Sequence, residues 1–169
     1  MKIDLTFGFI RPWEPQDLPV LLQCLKQERI RKNLRSTAPY PVRPIHTPTH
    51  FAIVLNHQTI GGIGFDLDLP QSRAHLGFWI DDAFSGKGFM SEVLPAICGW
   101  FQSQHRDLTV QASVYGWNPI SQKVLMKVGF SLVAQLPHAI HYSDEVTDLL
   151  IFEWDSLAQK QWEARQASL

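Results

Sequence analysis

A lysine between two glycines, set between two apolar runs, constrains this chain more than any other stretch. Residues 78–94 read FWIDDAFSGKGFMSEVL. The segment "AHLGFWI" has the residue content of a strand and ends before Asp81 and Asp82, and Gly86 and Gly88 then flank Lys87. Beyond them Val93, Leu94, Ile97, Trp100 and Phe101 recur at helical spacing up to His105. Strand, glycine turn and helix therefore follow one another. Pro95 sits too deep for a first turn, which predicts a kink between Ser91 and Pro95. Glycines let a backbone approach a ligand closely because no Cβ intervenes. The amides from Gly86 to Met90 would lie at a helix N-terminus, where orphan donors and the macrodipole favour an anion. Two phosphate-binding patterns fail here. The dinucleotide-binding form needs a third glycine where Ser91 stands, and the P-loop needs Ser or Thr where Gly88 stands. Alone, the turn is either an ordinary strand-to-helix connection or a phosphate cradle of another kind.

The flanking segments supply more strands. "IDLTFGFIRPW" is rich in β-formers up to Pro12, and Asp17 stands where an N-cap would open one helix through "LPVLLQCLKQERIRKNL". Leu18, Leu21, Leu22 and Leu25 share its apolar face. Arg29, Arg31, Lys32 and Arg35 gather at its end, either as a solvated terminus that suits the macrodipole or as a ligand site. Four prolines between Ser36 and Thr49 exclude a regular helix there. "HFAIVL" and "TIGGIGF" read as a hairpin joined by Asn56, His57 and Gln58, with "AHLGFWI" as a third antiparallel strand. Further on, "LTVQASVYG" is a strand and "NPISQKVLMKVGF" a short helix opened by Pro119 and stopped by Gly129. "SLVAQL" and "VTDLLIFEW" close the pattern as two strands, with "HAIHYSDEVTD" as their connection and 155–169 as a polar tail, helical or frayed. Strands followed by alternating strands and helices imply a mixed α/β domain around one sheet.

Composition narrows the function classes. With 169 residues and 45% hydrophobic content, residues 1–169 are expected to form one domain whose core needs neither disulfides nor metals. Fifteen basic against sixteen acidic residues give no bulk affinity for nucleic acid or an anionic membrane. Cys24 and Cys98 each fall in an apolar helical pattern, as small buried hydrophobes. The seven histidines show no paired metal-ligand spacing, so no metal is expected. No apolar run approaches the roughly 18 residues of a membrane span, and no signal-peptide core opens the chain, which reads as soluble and cytoplasmic.

Four segments, "IRPWEPQDLPVLL", "FAIVLNHQTIGGIGF", "HLGFWIDDAFSGKGFMSEVL" and "NPISQKVLMKVGF", stand in an order and spacing that resemble the GNAT acetyltransferases. The similarity is greatest to the branch that acetylates the N-terminal amine of ribosomal proteins. This resemblance implies a mostly antiparallel sheet with a splayed central strand pair, flanking helices, and acetyl-CoA as co-substrate. It assigns the cofactor's pyrophosphate to the backbone of Gly86, Lys87, Gly88, Phe89 and Met90, and the pantetheine arm to Phe78, Trp79 and Ile80. Asn118 matches the family's cofactor-contacting Asn, and Ser121 the hydroxyl placed near the thioester sulfur. Taken without the resemblance, the two are an N-cap and a capping or surface hydroxyl.

Amide formation from a thioester needs a neutral amine, a donor for the oxyanion and a proton for the leaving thiolate. A protein α-amine has a pKa of about 7.7 to 8.0 against about 10.4 for lysine, so it needs only a modest base. A backbone N–H near Trp79 or Ile80 could hold the oxyanion, and Ser121 could protonate the sulfur. Relatives place a tyrosine acid at the position of Leu125, which cannot do that work. His75 stands where related enzymes often carry a glutamate, and is either a base or a strand-face histidine; Glu145 and Asp148 are carboxylate alternatives. The expected acceptor is a protein N-terminal amine, with a small amine such as an antibiotic or polyamine, or a non-catalytic CoA-binding module, as alternatives. Either a monomer or a homodimer fits. Ser85 and Met90 depart from the family turn, so the Met90 side chain must point away from the cofactor. A proline-rich connection replaces an acceptor-side helix of the relatives, leaving that side open, or filled by a dimer partner or by Trp13, Tyr40 and Trp117, which otherwise belong to the core.

Overall fold

The computed structural model describes residues 1–34 and 47–155, with Ala164. The expectations for Arg35, Tyr40, most of the proline-rich connection and most of the C-terminal tail lie outside the described residues. The fold is α/β, with a mostly antiparallel sheet of eight strands. Two compact units can be distinguished: Met1–Asp66 with Leu76–Phe89, and Leu67–His75 with Met90–Leu169.

The first unit holds strands β1 (Ile3–Asp4), β2 (Gly8–Pro12) and β3 (His50–Leu55), most of β4 (Gln58–Asp68) and the end of β5 (Arg73–Ile80), which neighbour one another in that order. The β3–β4 hairpin is tighter than its sequence suggests. Gln58 already pairs with Leu55, so the loop is only Asn56 and His57, at φ 47° and 65°. Two successive left-handed residues match the twist of the flanking strands, and Asn tolerates that conformation well.

The single helix read after Pro12 is two, α1 (Leu18–Cys24) and α2 (Glu28–Asn33). Between them Gln27 is extended (ψ 123°), which ends the helical run, and its side-chain carboxamide reaches Asp81 and Asp82. Re-aiming α2 still brings Ile30 into the cluster of Trp13, Leu21, Cys24, Ala52, Val54 and Trp79. Trp13 and Trp79 stack at 6.1 Å, and a Cβ on Gly62 would come within 2.8 Å of both. Trp13 is therefore a core residue, and Gly62 is what lets the two indoles lie against the strand.

Asp17 does not cap α1. Its backbone is helical, a 3-10 turn over Pro15–Asp17 precedes the helix, and its carboxylate reaches back to accept from the Glu14 N–H at 2.8 Å. Arg11 donates to it twice, at 2.7 and 2.9 Å, and Thr59 Oγ1 once, at 2.6 Å. At 4% exposure a carboxylate must be paired in this way. Burial alone would raise its pKa, but the bonds from Arg11, Thr59 and the Glu14 N–H outweigh it and hold the group below its ordinary 3.8. Because the folded value is depressed, this stabilisation is complete above the unfolded value and disappears as pH falls through the folded one. Asp17→Asn is expected to cost about 2 kcal/mol at pH 7. Urea unfolding at pH 7 and pH 3 checks it: the gap to the parent protein should narrow at pH 3, and an equal gap at both would place the loss in packing.

The second unit carries the start of β5, then β6 (Thr109–Tyr115), β8 (Glu145–Trp154) and β7 (Phe130–Tyr142) in spatial order. Thr109 N–H donates to the Ser72 carbonyl at 3.0 Å, and β8 pairs antiparallel with both β6 and β7. Helix α3 (Met90–Gln104) runs through Pro95 without interruption and buries Val93, Leu94, Ile97, Cys98 and Phe101. Helix α4 (Pro119–Val128) follows its sequence grammar, with Asn118 as cap, Pro119 first and Gly129 left-handed at φ 107°. It packs on α3 and β7, and Leu125 is fully buried.

The connection read at "HAIHYSDEVTD" is mostly strand. Only Ser143 and Asp144 separate β7 from β8. The pairing register shifts between Leu136 and Ile140, where His138 adopts φ 52°. Asp148 fills this bulge, accepting from the His138 N–H at 3.0 Å and from Gln135 Nε2 at 2.6 Å. The loop-like polarity of the sequence thus belongs to a bulged, largely exposed edge strand. Both cysteines are free and buried. Among the described residues no helix is long and apolar enough to cross a membrane.

Candidate active site

β5 presents Phe78, Trp79 and Ile80 in succession. The Asp81 N–H donates to the Ile60 carbonyl of β4 at 2.8 Å. Successive residues of a strand aim their backbone polar groups at opposite edges. Trp79 therefore faces β4 as Asp81 does, while Phe78 and Ile80 face the other edge. The Trp79 carbonyl oxygen fits this, lying 2.6 Å from where a Cβ on Gly61 would be. Trp79 and Ile80 are both buried, so what they offer a ligand is backbone.

Asp81 then caps a 3-10 turn over Asp82–Phe84 by accepting from the Ala83 N–H at 2.9 Å. Gly86 and Gly88 follow at φ 75° and 84°, a conformation that L-residues disfavour. A Cβ on either would meet nothing within 4 Å, so the space a side chain would fill is open. The turn fits a phosphate in both respects that matter, exposed backbone and no obstructing side chain. Lys87 holds its ammonium 5.2 Å above the Phe84 ring, and Phe89 packs on Phe7 with centroids 4.5 Å apart. Met90, the first residue of α3, is buried at 8% exposure.

Asn118 and Ser121 meet at the start of α4. The Ser121 N–H donates to Asn118 Oδ1 at 3.3 Å, which leaves Asn118 Nδ2 to donate to Ser121 Oγ at 3.0 Å. The hydroxyl accepts in this pair, so its own proton is left to be donated elsewhere. Tyr115, Trp117 and Tyr142 form an edge-to-face series in the same unit, at 5.7 and 6.3 Å.

The base candidates differ in setting. His75 is half-buried on β5; its Nδ1 is buried without a hydrogen-bond partner among the described residues, and its Nε2 lies 3.9 Å from Asp68. Glu145 is exposed at the tip of the β7–β8 hairpin, paired in register with Tyr142. Asp148 is held below the usual carboxylate range by the His138 N–H and then by Gln135, which makes it a poor proton acceptor and a clamp for the bulge. Cys24 is no nucleophile: burial, with Asp81 at 3.5 Å, pushes its thiol up to about 12. Among the described residues no cluster of His, Cys, Asp and Glu could hold a metal.

Sequence reading missed the side chains that grip the exit of β5. Arg29 Nη2 donates to the Ile80 carbonyl at 2.7 Å and its Nε pairs with Asp82. Gln27 receives the Asp82 N–H at 3.1 Å and donates to Asp81 at 3.3 Å. The signal was present as arginines in one segment and paired aspartates in another. Their separation of about fifty residues hid it.

Residues 9–131 match the acetyltransferase (GNAT) domain, and the chain belongs to that family. Among curated proteins the ribosomal-protein-serine acetyltransferase of Escherichia coli (strain K12) is 28% identical over 105 residues, 60% of this chain. The match spans 58% of that relative's length. Among solved structures, a GNAT-family acetyltransferase from Bacillus anthracis aligns with TM-score 0.77 and 18% identity, covering 90% of this chain and 97% of the other. A ribosomal L7/L12 α-N-protein acetyltransferase in complex with coenzyme A aligns with TM-score 0.74 and 17% identity, over 90% and 97%. At such identities the structural likeness is one of fold.

Proposed function

We propose that the protein transfers an acetyl group from acetyl-CoA to a primary amine, above all the α-amine of a protein N-terminus. Acetyl-CoA supplies the activated thioester. On this reading the amides of Gly86, Lys87, Gly88, Phe89 and Met90 hold the pyrophosphate, and the backbone of Phe78–Ile80 pairs with the pantetheine arm, with Asn118 as a further contact. The Ile80 N–H, on the edge away from β4, is the donor for the thioester carbonyl oxygen; Trp79 turns its N–H the other way. Ser121 donates a proton to the leaving sulfur. His75 takes the proton of the amine, directly or through water, with Glu145 as the carboxylate alternative.

The observation that carries this reading is the Asn118–Ser121 pair. A capping hydroxyl that accepts from its neighbour keeps its proton for another acceptor, as an acid near a thiolate requires. Preference for an α-amine rests on its partial neutrality at physiological pH and on the 28% identity to a ribosomal-protein-serine acetyltransferase.

Thermal shift with acetyl-CoA, followed by thiol release against N-terminal peptides, lysine peptides and small amines including a polyamine, tests the reading. A shift together with release on N-terminal peptides is expected. A shift without release on any acceptor would leave a CoA-binding module. No shift would remove the cofactor assignment.

A further inference from the structure

We infer that Arg29 is a positioning residue for the backbone of Ile80, acting from α2 on the strand end that meets the thioester; this rests on the acetyltransferase reading above. At the exit of β5 three consecutive residues have backbone groups committed in different directions. The Asp81 N–H goes to Ile60 of β4 and the Asp82 N–H goes to Gln27. The Ile80 carbonyl goes to the Arg29 guanidinium at 2.7 Å. The Ile80 carbonyl and the Asp81 N–H form one planar unit, which Arg29 and Ile60 hold from opposite sides; the Ile80 N–H is joined to that unit through the Ile80 Cα and faces the same edge as the carbonyl, so fixing the unit narrows the torsions that set the N–H's direction. That N–H is the proposed donor to the thioester carbonyl oxygen, and a donor of this kind works only when its direction is set before the substrate arrives. A side chain, not a strand, holds the Ile80 carbonyl in this bond.

Arg29 suits the task because its guanidinium is forked. While Nη2 reaches Ile80, Nε pairs with the Asp82 carboxylate, so the group cannot swivel without losing one of the two. Gln27 adds a second hold on the same segment through Asp81 and Asp82. The break between α1 and α2 gains a purpose from this. A continuous helix would not leave Gln27 extended, and the stretch from Gln27 to Arg29 is the one that reaches across to β5.

Steady-state kinetics on Arg29→Ala, Arg29→Lys and Asp82→Ala test the inference in the full-length protein. Arg29→Ala should lower kcat about tenfold or more, as a misdirected oxyanion donor does, with KM for acetyl-CoA within about threefold. Arg29→Lys, which keeps one charged donor, should recover part of the loss. Asp82→Ala removes the partly exposed ion pair but leaves the bond to Ile80 on one arm of the fork, and should cost less than Arg29→Ala, about threefold in kcat. Parent-like kcat in Arg29→Ala would overturn the inference, as would an equal loss in Asp82→Ala, which would place the effect in the ion pair. A loss carried by KM would assign Arg29 to cofactor binding instead. Failure of the acetyltransferase reading looks different: the unaltered protein would then release no thiol with any acceptor.

Discussion

Ser121→Ala is expected to lower kcat about 100-fold while leaving the affinity for acetyl-CoA within about threefold, the lower part of the range for losing a positioned proton donor. Geometry argues that the variant will fold. The cap of α4 depends on Asn118 Oδ1 receiving the Ser121 N–H, a backbone group that alanine retains. What disappears is the hydroxyl, together with the acceptor for Asn118 Nδ2. Leu125, one turn later, carries no hydroxyl and is fully buried, so that position cannot substitute. Thiol release at saturating acetyl-CoA measures kcat, and titration of the free enzyme measures affinity. Equal losses in both would assign Ser121 to binding. Parent-like turnover would leave it a capping hydroxyl and nothing more.

Local features were legible in the sequence wherever a residue type answers to its immediate neighbours. Pro119 and Gly129 bracket α4 as read, because a missing N–H and a left-handed stop are local requirements. Asn118 and Ser121 are three residues apart, and their contact is likewise local. Reading failed where a distant partner changed the local outcome. Asp17 looks like an N-cap until Arg11 and Thr59 claim its carboxylate, and Thr59 lies on another strand. The segment Leu18–Leu34 has one continuous amphipathic pattern, yet it breaks at Gln27, whose partners are more than fifty residues away. The polar run around His138 resembles a loop, and only Asp148, on the next strand, shows why it is a bulge. The glycine turn after β5 occupied the middle ground. Its two glycines pointed to positive φ, but whether their outer side is open to a ligand depends on everything that does not pack there.

That open side makes Gly88 the sharpest test of the cofactor site. Gly88→Val is expected to weaken acetyl-CoA binding about 30-fold or more, roughly 2 kcal/mol. At φ 84° a β-branched residue is badly placed, and the left-handed region costs an ordinary L-residue about 1 to 2 kcal/mol. Relief of that strain rotates the amides that would face the phosphate. The protein itself loses little else, since a Cβ at Gly88 meets no atom within 4 Å and creates no internal clash. The melting temperature should therefore fall by only a few degrees, as about 1 kcal/mol does in a chain of this size. Gly88→Asn separates the two contributions. Asparagine tolerates the left-handed conformation, so it keeps the amides nearly in place and adds only a side chain on the open face; its affinity should fall between those of valine and glycine. Isothermal titration with acetyl-CoA gives the order. If Gly88→Val binds as the parent does, the turn is an ordinary connection and the pyrophosphate lies elsewhere. If Asn and Val lose equally, exclusion by the side chain outweighs the direction of the amides.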